Sequence, residues 1–223
     1  MIELKNINKI YKVGKEDFYA LRDVSLQIEK GDFVAIRGTS GSGKTTLLNI
    51  IGCMDNATNG SYQLSGTDIK TLGDEGKSLM RNQKIGFVLQ DFALISDQSV
   101  LYNVMLPLLL GKTPYRKIKR MALEALSAVG LTNQAKKKVN QLSGGQQQRV
   151  AIARAIVTKP EIILADEPTG QLDSETTRQI MEILERLNSE GITVLVVTHD
   201  AEVAAYAKRC LLVTDGCVTE TPA

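Results

Sequence analysis

The sequence predicts an α/β chain built on a mainly parallel sheet, with an antiparallel β edge and an inserted α-helical segment. Three observations carry that expectation. Short apolar, β-branched runs recur at 33–36, 85–89, 162–165 and 193–197, the composition of strands buried on both faces. Helical patterns alternate with them, as at 175–188, where Ile180, Ile183, Leu184 and Leu187 recur at helical spacing and Gly191 follows the end. Across 91–148 the β signal lapses and a helical insertion is expected within the α/β core.

Taken in order, residues 2–7 and 21–29 alternate polar with apolar side chains, which suits a half-exposed antiparallel sheet at one edge. The run 33–36 leads directly into a glycine-rich turn and the helical-looking segment 46–51. Within the insertion, Ile118, Met121, Ala122, Ala125, Leu126 and Val129 trace one face of a helix entered near Pro114. The basic run Lys136-Lys137-Lys138 reads as a solvated loop. The expected organisation is one domain over 1–223, with 1–90 and 149–223 forming the core and its β subdomain, and 91–148 the helical subdomain.

Composition narrows the function classes. With 27 basic and 25 acidic residues in 223, the net charge of +2 leaves no broad footprint for nucleic acid. Aromatics are 4% and Trp is absent, which argues against a stacking platform for single strands. Cys53, Cys210 and Cys217 are odd in number and lack CxxC spacing, so buried thiols in a reducing compartment are expected. The N-terminus opens into the alternating segment with no basic-then-apolar leader, so export is not expected. The most apolar stretch, 104–110, is broken by Pro107 and is far shorter than the roughly 20 residues a membrane span needs.

The chemistry starts at Gly38-Thr39-Ser40-Gly41-Ser42-Gly43-Lys44-Thr45, set between a strand and a helix. Glycines let backbone N–H groups turn inward on phosphate oxygens, and the helix starting near Lys44 aims its positive end at them. Lys44 is expected to reach the β- and γ-phosphates of a nucleoside triphosphate, and Thr45 to offer its hydroxyl to Mg²⁺. The strand at 162–165 ends in Asp166 and Glu167, where ligands gather at the C-terminal edge of a parallel sheet. Asp166 suits the Mg²⁺ shell, and Glu167 suits orienting or deprotonating an attacking water. Further on, Ser143-Gly144-Gly145-Gln146 precedes the apolar helix 150–157, a second helix start able to hold an anion.

Leu142 to Gln146 reads LSGGQ and is followed by QQRVAIARA, which resembles the signature of the ATP-binding cassette (ABC) ATPases, a P-loop NTPase family. The resemblance runs over essentially the whole chain and implies ATP as the nucleotide, with Thr46 completing the phosphate loop. It places Tyr11 where the family stacks an aromatic ring on adenine. Gln90 matches the glutamine linking Mg²⁺ and the nucleophilic water to the helical subdomain. Asp173 matches the aspartate that crosses between subunits, and His199, the chain's only His, matches the histidine on the γ-phosphate.

Within the family the chain is similar to the LolD/MacB group, on Ile51-Gly52-Cys53-Met54-Asp55, on the segment 86–95 and on Asn103-Val104-Met105-Leu106-Pro107-Leu108. The group commonly has Asn where this chain has Gln171, and commonly Glu where it has Tyr102. The resemblance implies two copies sandwiching two ATP molecules, each phosphate loop facing the partner's Ser143-Gly144-Gly145-Gln146. It implies a membrane permease encoded as a separate chain and docked near 90–110, a peripheral position on the inner face of the cell membrane, and no nucleic-acid partner. A soluble cluster-assembly scaffold is the alternative. A P-loop kinase would lack the Ser143 to Gln146 signature.

Overall fold

Apolar residues at Ile2, Leu4 and Ile7 pull one face of the N-terminal segment into the core, forming β1 (Ile2–Val13), which pairs antiparallel with β2 (Glu16–Ile28). The computed structural model describes residues 1–14 and 16–222. β3 (Phe33–Gly38) leads through the glycine-rich loop into α1 (Lys44–Ile51). The chain then returns as β4 (Asn59–Leu64), antiparallel to β1, and the short β5 (Thr67–Asp68). α2 (Asp74–Lys84) feeds β6 (Ile85–Leu89).

The insertion contains α3 (Val100–Leu110), α4 (Tyr115–Ala128) and α5 (Gly144–Ile156). β7 (Ile162–Asp166), α6 (Ser174–Ser189), β8 (Thr193–Val197), the single turn α7 (Ala201–Ala204), β9 (Arg209–Thr214) and β10 (Cys217–Pro222) complete the chain.

The main sheet has the order β10-β9-β3-β8-β7-β6, parallel throughout except for β10 at its edge. Its side chains divide by the period-two rule. Phe33, Ala35, Ile163, Ala165, Val194 and Val196 face the helical layer, while Val34, Ile36, Ile162, Leu164, Leu195 and Val197 face α1 and the antiparallel sheet. Each fully buried aliphatic contributes roughly 1.5–3 kcal/mol, so both layers are tied to this sheet.

The four expected strands and the helix at 175–188 appear as β3, β6, β7, β8 and α6. The antiparallel edge is longer than 2–7 and 21–29, because β1 and β2 continue as a two-stranded ribbon whose outer part exposes Val13, Phe18 and Tyr19. α5 crosses position 148 and packs on β6, so the helical segment and the core share one continuous helix there. Cys53 and Cys210 are buried as expected, whereas Cys217 is exposed at the start of the edge strand. No helix among the described residues is long and apolar enough to cross a membrane.

Candidate active site

The loop between β3 and α1 is shaped by glycine. Gly38, Gly41 and Gly43 have φ of 151°, 77° and 111°. At Gly43 a Cβ would run into the carbonyl oxygen of Ala20, so no other residue fits. Gly43 is also the N-cap of α1 and has no side chain to cap it. The first-turn N–H groups are therefore left for a ligand, with the positive helix end behind them. Lys44 Nζ donates to the carbonyls of Gly38 (2.9 Å) and Thr39 (2.6 Å), which lays the ammonium across the loop mouth. Ser42 Oγ is buried beneath the loop without a hydrogen-bond partner.

Three neighbouring strands deliver the rest of the constellation. Leu89 of β6, Asp166 of β7 and Val197 of β8 lie side by side in register, so Gln90, Glu167 and His199 follow at one sheet edge. Burial first, then the charge of Glu167, raises the Asp166 pKa from its ordinary value, and Lys44 opposes the shift. Glu167 has φ of 45°, a left-handed backbone held by its N–H donating to Val197 O (2.9 Å) and its C=O accepting from Gly170 N (3.1 Å). Such strain costs about 1–3 kcal/mol and gathers at functional positions.

The carboxylate of Glu167 meets His199 Nδ1 at 2.8 Å; its own side chain is 17% exposed and the ring 76%. That hydrogen bond, and then the charge behind it, raises the imidazole pKa above its ordinary value. The side chain of Gln90 lies against Gly170, where an added Cβ would come within 3.1 Å of its amide nitrogen. Lys44, Thr45, Gln90, Asp166, Glu167 and His199, with Gly38, Thr39, Ser40 and Gly41, line one cleft of about 880 Å³. Among the described residues no group of three or more His, Cys, Asp or Glu converges as a metal cage.

Ser42, Gly43 and Thr46 belong to the loop and the first turn of α1 without lining the cleft, and three further sets of expected site residues lie apart from it. Tyr11 donates its hydroxyl to Asp55 Oδ2 (2.8 Å) and carries the Lys9 ammonium 4.8 Å from its ring centre. Ser143 caps α5, its Oγ accepting from Gln146 N (3.4 Å) while Gln146 Oε1 accepts from Ser143 N (3.1 Å). Asp173 caps α6 by accepting from the N–H and hydroxyl of Thr176 (2.9 and 2.8 Å). Gly145 packs on the Thr176 side chain and Gly144 near Leu172, so these two helix starts form one continuous surface.

Sequence reasoning missed two residues that connect these surfaces. Gln148 is fully buried and donates to the carbonyl of Pro168 (2.6 Å), the residue after Glu167. A polar side chain on the apolar stripe of α5 was the available signal. Arg154 donates to the carbonyls of Phe92 (2.9 Å) and Ala93, whose φ values of 60° and 45° bend the loop after Gln90. A second groove of about 550 Å³ lies between α2 and α3. Its walls include Met54, Ser78, Phe87, Leu106, Pro107 and Leu110, but not Tyr102. Leu94 and Leu101, apolar residues beside Gln90, pack on the main core instead.

A family model described as ABC transporter matches residues 21–170. The ABC transporter ATP-binding protein MJ0796 of Methanocaldococcus jannaschii is 50% identical over 97% of this chain and 94% of its own length. The macrolide export ATP-binding/permease protein MacB of Syntrophobacter fumaroxidans is 46% identical over 98% of this chain, which spans only 31% of that longer relative. The dimeric structure of a post-hydrolysis state of MJ0796 bound to ADP and Pi superposes with a TM-score of 0.90 at 48% identity, covering 100% of this chain and 98% of that one.

Proposed function

The chain belongs to the ABC transporter ATP-binding family, and on that premise we propose how its two surfaces make one enzyme. It is an ATP-hydrolysing cassette that energises transport and works as a dimer. The observation that carries the reading is a divided site: the cleft holds the phosphate loop and carboxylates, while Ser143-Gly144-Gly145-Gln146 lies outside it. A second copy supplies the missing wall. Two chains arranged head to tail close two clefts, each covered by the partner's helix start, so one chain cannot complete its own site.

In the closed site the free N–H groups of α1 and Lys44 bind the β- and γ-phosphates. Glu167 exchanges its hydrogen bond to His199 for one to water and accepts the proton as the water oxygen attacks the γ-phosphorus. The bond to the β-phosphate oxygen breaks as the new bond forms, releasing ADP and phosphate. His199 and the partner's α5 start stabilise the charge on the transferring group. Tyr11 holds the adenine side of the nucleotide, Thr46 in the first turn of α1 supports the phosphate side, and Asp173 lies at the seam between copies.

The residues present fit Mg²⁺, a hard cation that takes one or two carboxylates together with substrate phosphates. Asp166 is a half-buried carboxylate crowded by a second acid, and Thr45 and Gln90 add neutral oxygens beside it. Bound there, Mg²⁺ would neutralise charge on the phosphate oxygens.

The groove between α2 and α3 receives the permease, which places the cassette at the inner face of the membrane. MacB relatives that join such a cassette to a permease support this reading over a soluble scaffold. Mixing Lys44→Ala with Ser143→Arg tests the divided site. Each variant alone is inactive, and mixed dimers with one intact site regain partial ATPase activity. Mixed dimers that form without any recovery would overturn it.

A further inference from the structure

Between Asp97 and Glu124 the sequence contains no carboxylate, yet Lys112, Arg116, Lys117, Lys119 and Arg120 fall within nine residues. The chain as a whole carries only +2, so the rest of the molecule is net negative and positive charge is concentrated on this rim. α4 buries Ile118, Ala122, Ala125 and Leu126, which turns Arg116, Lys119, Arg120 and Leu123 to a common outward face. Among the described residues the one ion pair on this rim is Arg120 with Glu124, at 3.8 Å and well exposed. The cations crowd the N-terminal half of α4, where the helix dipole repels them and Pro114 provides no side-chain cap. A local arrangement unfavourable to the helix is expected where a surface serves binding. Beside them Leu110 is 84% and Tyr115 82% exposed.

We infer that the rim formed by residues 110–120 docks on anionic phospholipid headgroups, the basic side chains meeting lipid phosphate while Leu110 and Tyr115 enter the interfacial layer. The apolar pair decides between polyanions. A nucleic-acid backbone offers nothing to an exposed leucine, whereas a bilayer interface accepts leucine and favours the amphipathic ring of tyrosine. The placement rests on the permease reading above, because Leu110 and Lys112 also line the groove assigned to that partner. A chain held there by its permease presents this rim to the surrounding lipid, and each basic residue near an anionic surface strengthens partitioning by about fivefold.

Flotation of the purified full chain with vesicles, in the absence of any permease, tests the inference. The chain is expected to float with phosphatidylcholine vesicles containing phosphatidylglycerol and not with phosphatidylcholine alone. High salt is expected to release it, since the Debye length shrinks to about 3 Å at 1 M. The triple variant R116E/K119E/R120E should lose at least about a hundredfold in affinity with unchanged melting and ATP hydrolysis. Tyr115→Ser should retain salt-sensitive recruitment at reduced affinity. The inference is overturned if the wild type stays unbound, binds neutral vesicles equally, or binds a short DNA duplex as tightly, or if the triple variant floats like the wild type. A wild-type chain that floats with anionic vesicles but does not associate with a permease would remove the groove reading and leave this surface standing.

Discussion

The imidazole Nδ1 of His199 lies 2.8 Å from Oε1 of Glu167, joining the only histidine of the chain to the carboxylate that follows the neighbouring strand. A single histidine gives a single imidazole titration by NMR. His199 is expected to titrate above its usual value of about 6.5, and Glu167→Gln to bring it back down. A raised folded-state pKa adds stability that is complete below the unfolded value and lost as pH rises through the folded one. The exposed ring keeps that contribution small through solvent screening. A titration unchanged in Glu167→Gln would mean that the pair does not form in solution.

Glu167→Gln keeps the side-chain volume and removes the base. Turnover should fall by about 10²–10⁴-fold while ATP binding persists, the range expected for loss of a general base. With ATP the variant should elute as a stable dimer on size exclusion. Wild-type turnover would assign the proton to another group.

The groove between α2 and α3 can be blocked from either wall. Leu106→Asp places a charge among Met54, Phe87 and Pro107, and Ser78→Arg fills the space from α2. Both variants should retain basal ATPase activity within about twofold but lose about tenfold or more in affinity for the permease, as expected for an interface anchor. Pull-down and stimulated ATPase assays separate the two effects, and normal stimulation of both variants would move the docking site elsewhere.

Glu161 joins three separate elements, accepting from Ser65 Oγ (2.6 Å) and pairing with Lys84 at the end of α2. Hydrogen bonding from Lys84, then Ser65, holds its pKa below the usual carboxylate value. Its stabilisation is therefore complete above about pH 4.3, the unfolded value, and is lost as pH falls through the folded one. Glu161→Gln should cost about 0.5–1 kcal/mol at neutral pH, since both partners are about one-third exposed. Denaturation curves for the two proteins should converge under acid; a gap that persists there would trace the loss to packing.

The elements legible in the sequence were those whose burial leaves a pattern. Val34 and Ile36 alternate with Phe33 and Ala35 toward two different layers, so the whole run is apolar. α2 buries none of its residues and offers no stripe to read, and β9 shows Arg209, whose partners Asp32 and Glu220 lie far apart in sequence. Lys44, Asp166 and Glu167 were legible because loop and strand-end chemistry is local. The Glu167–His199 bond was not, because residues 32 apart meet only through the pairing of β7 with β8. Leu94 and Leu101 were hard to place for a related reason: apolar composition near Gln90 does not distinguish a groove wall from the core they pack on.

The rung Leu89–Asp166–Val197 sets what this molecule can vary without losing its chemistry. Its spacing comes from the sheet itself, about 4.7–4.9 Å between neighbouring strands, and owes nothing to the length of the crossings. The excursion over 91–141 can therefore grow, shrink or be re-sculpted for a new client while Gln90, Glu167 and His199 keep their places after neighbouring strands. A slip of one residue in β7 has the opposite consequence, turning Asp166 to the far face of the pleat and disarming the catalyst in one step. Adaptation to cargo and preservation of the reaction are thus assigned to different parts of the chain.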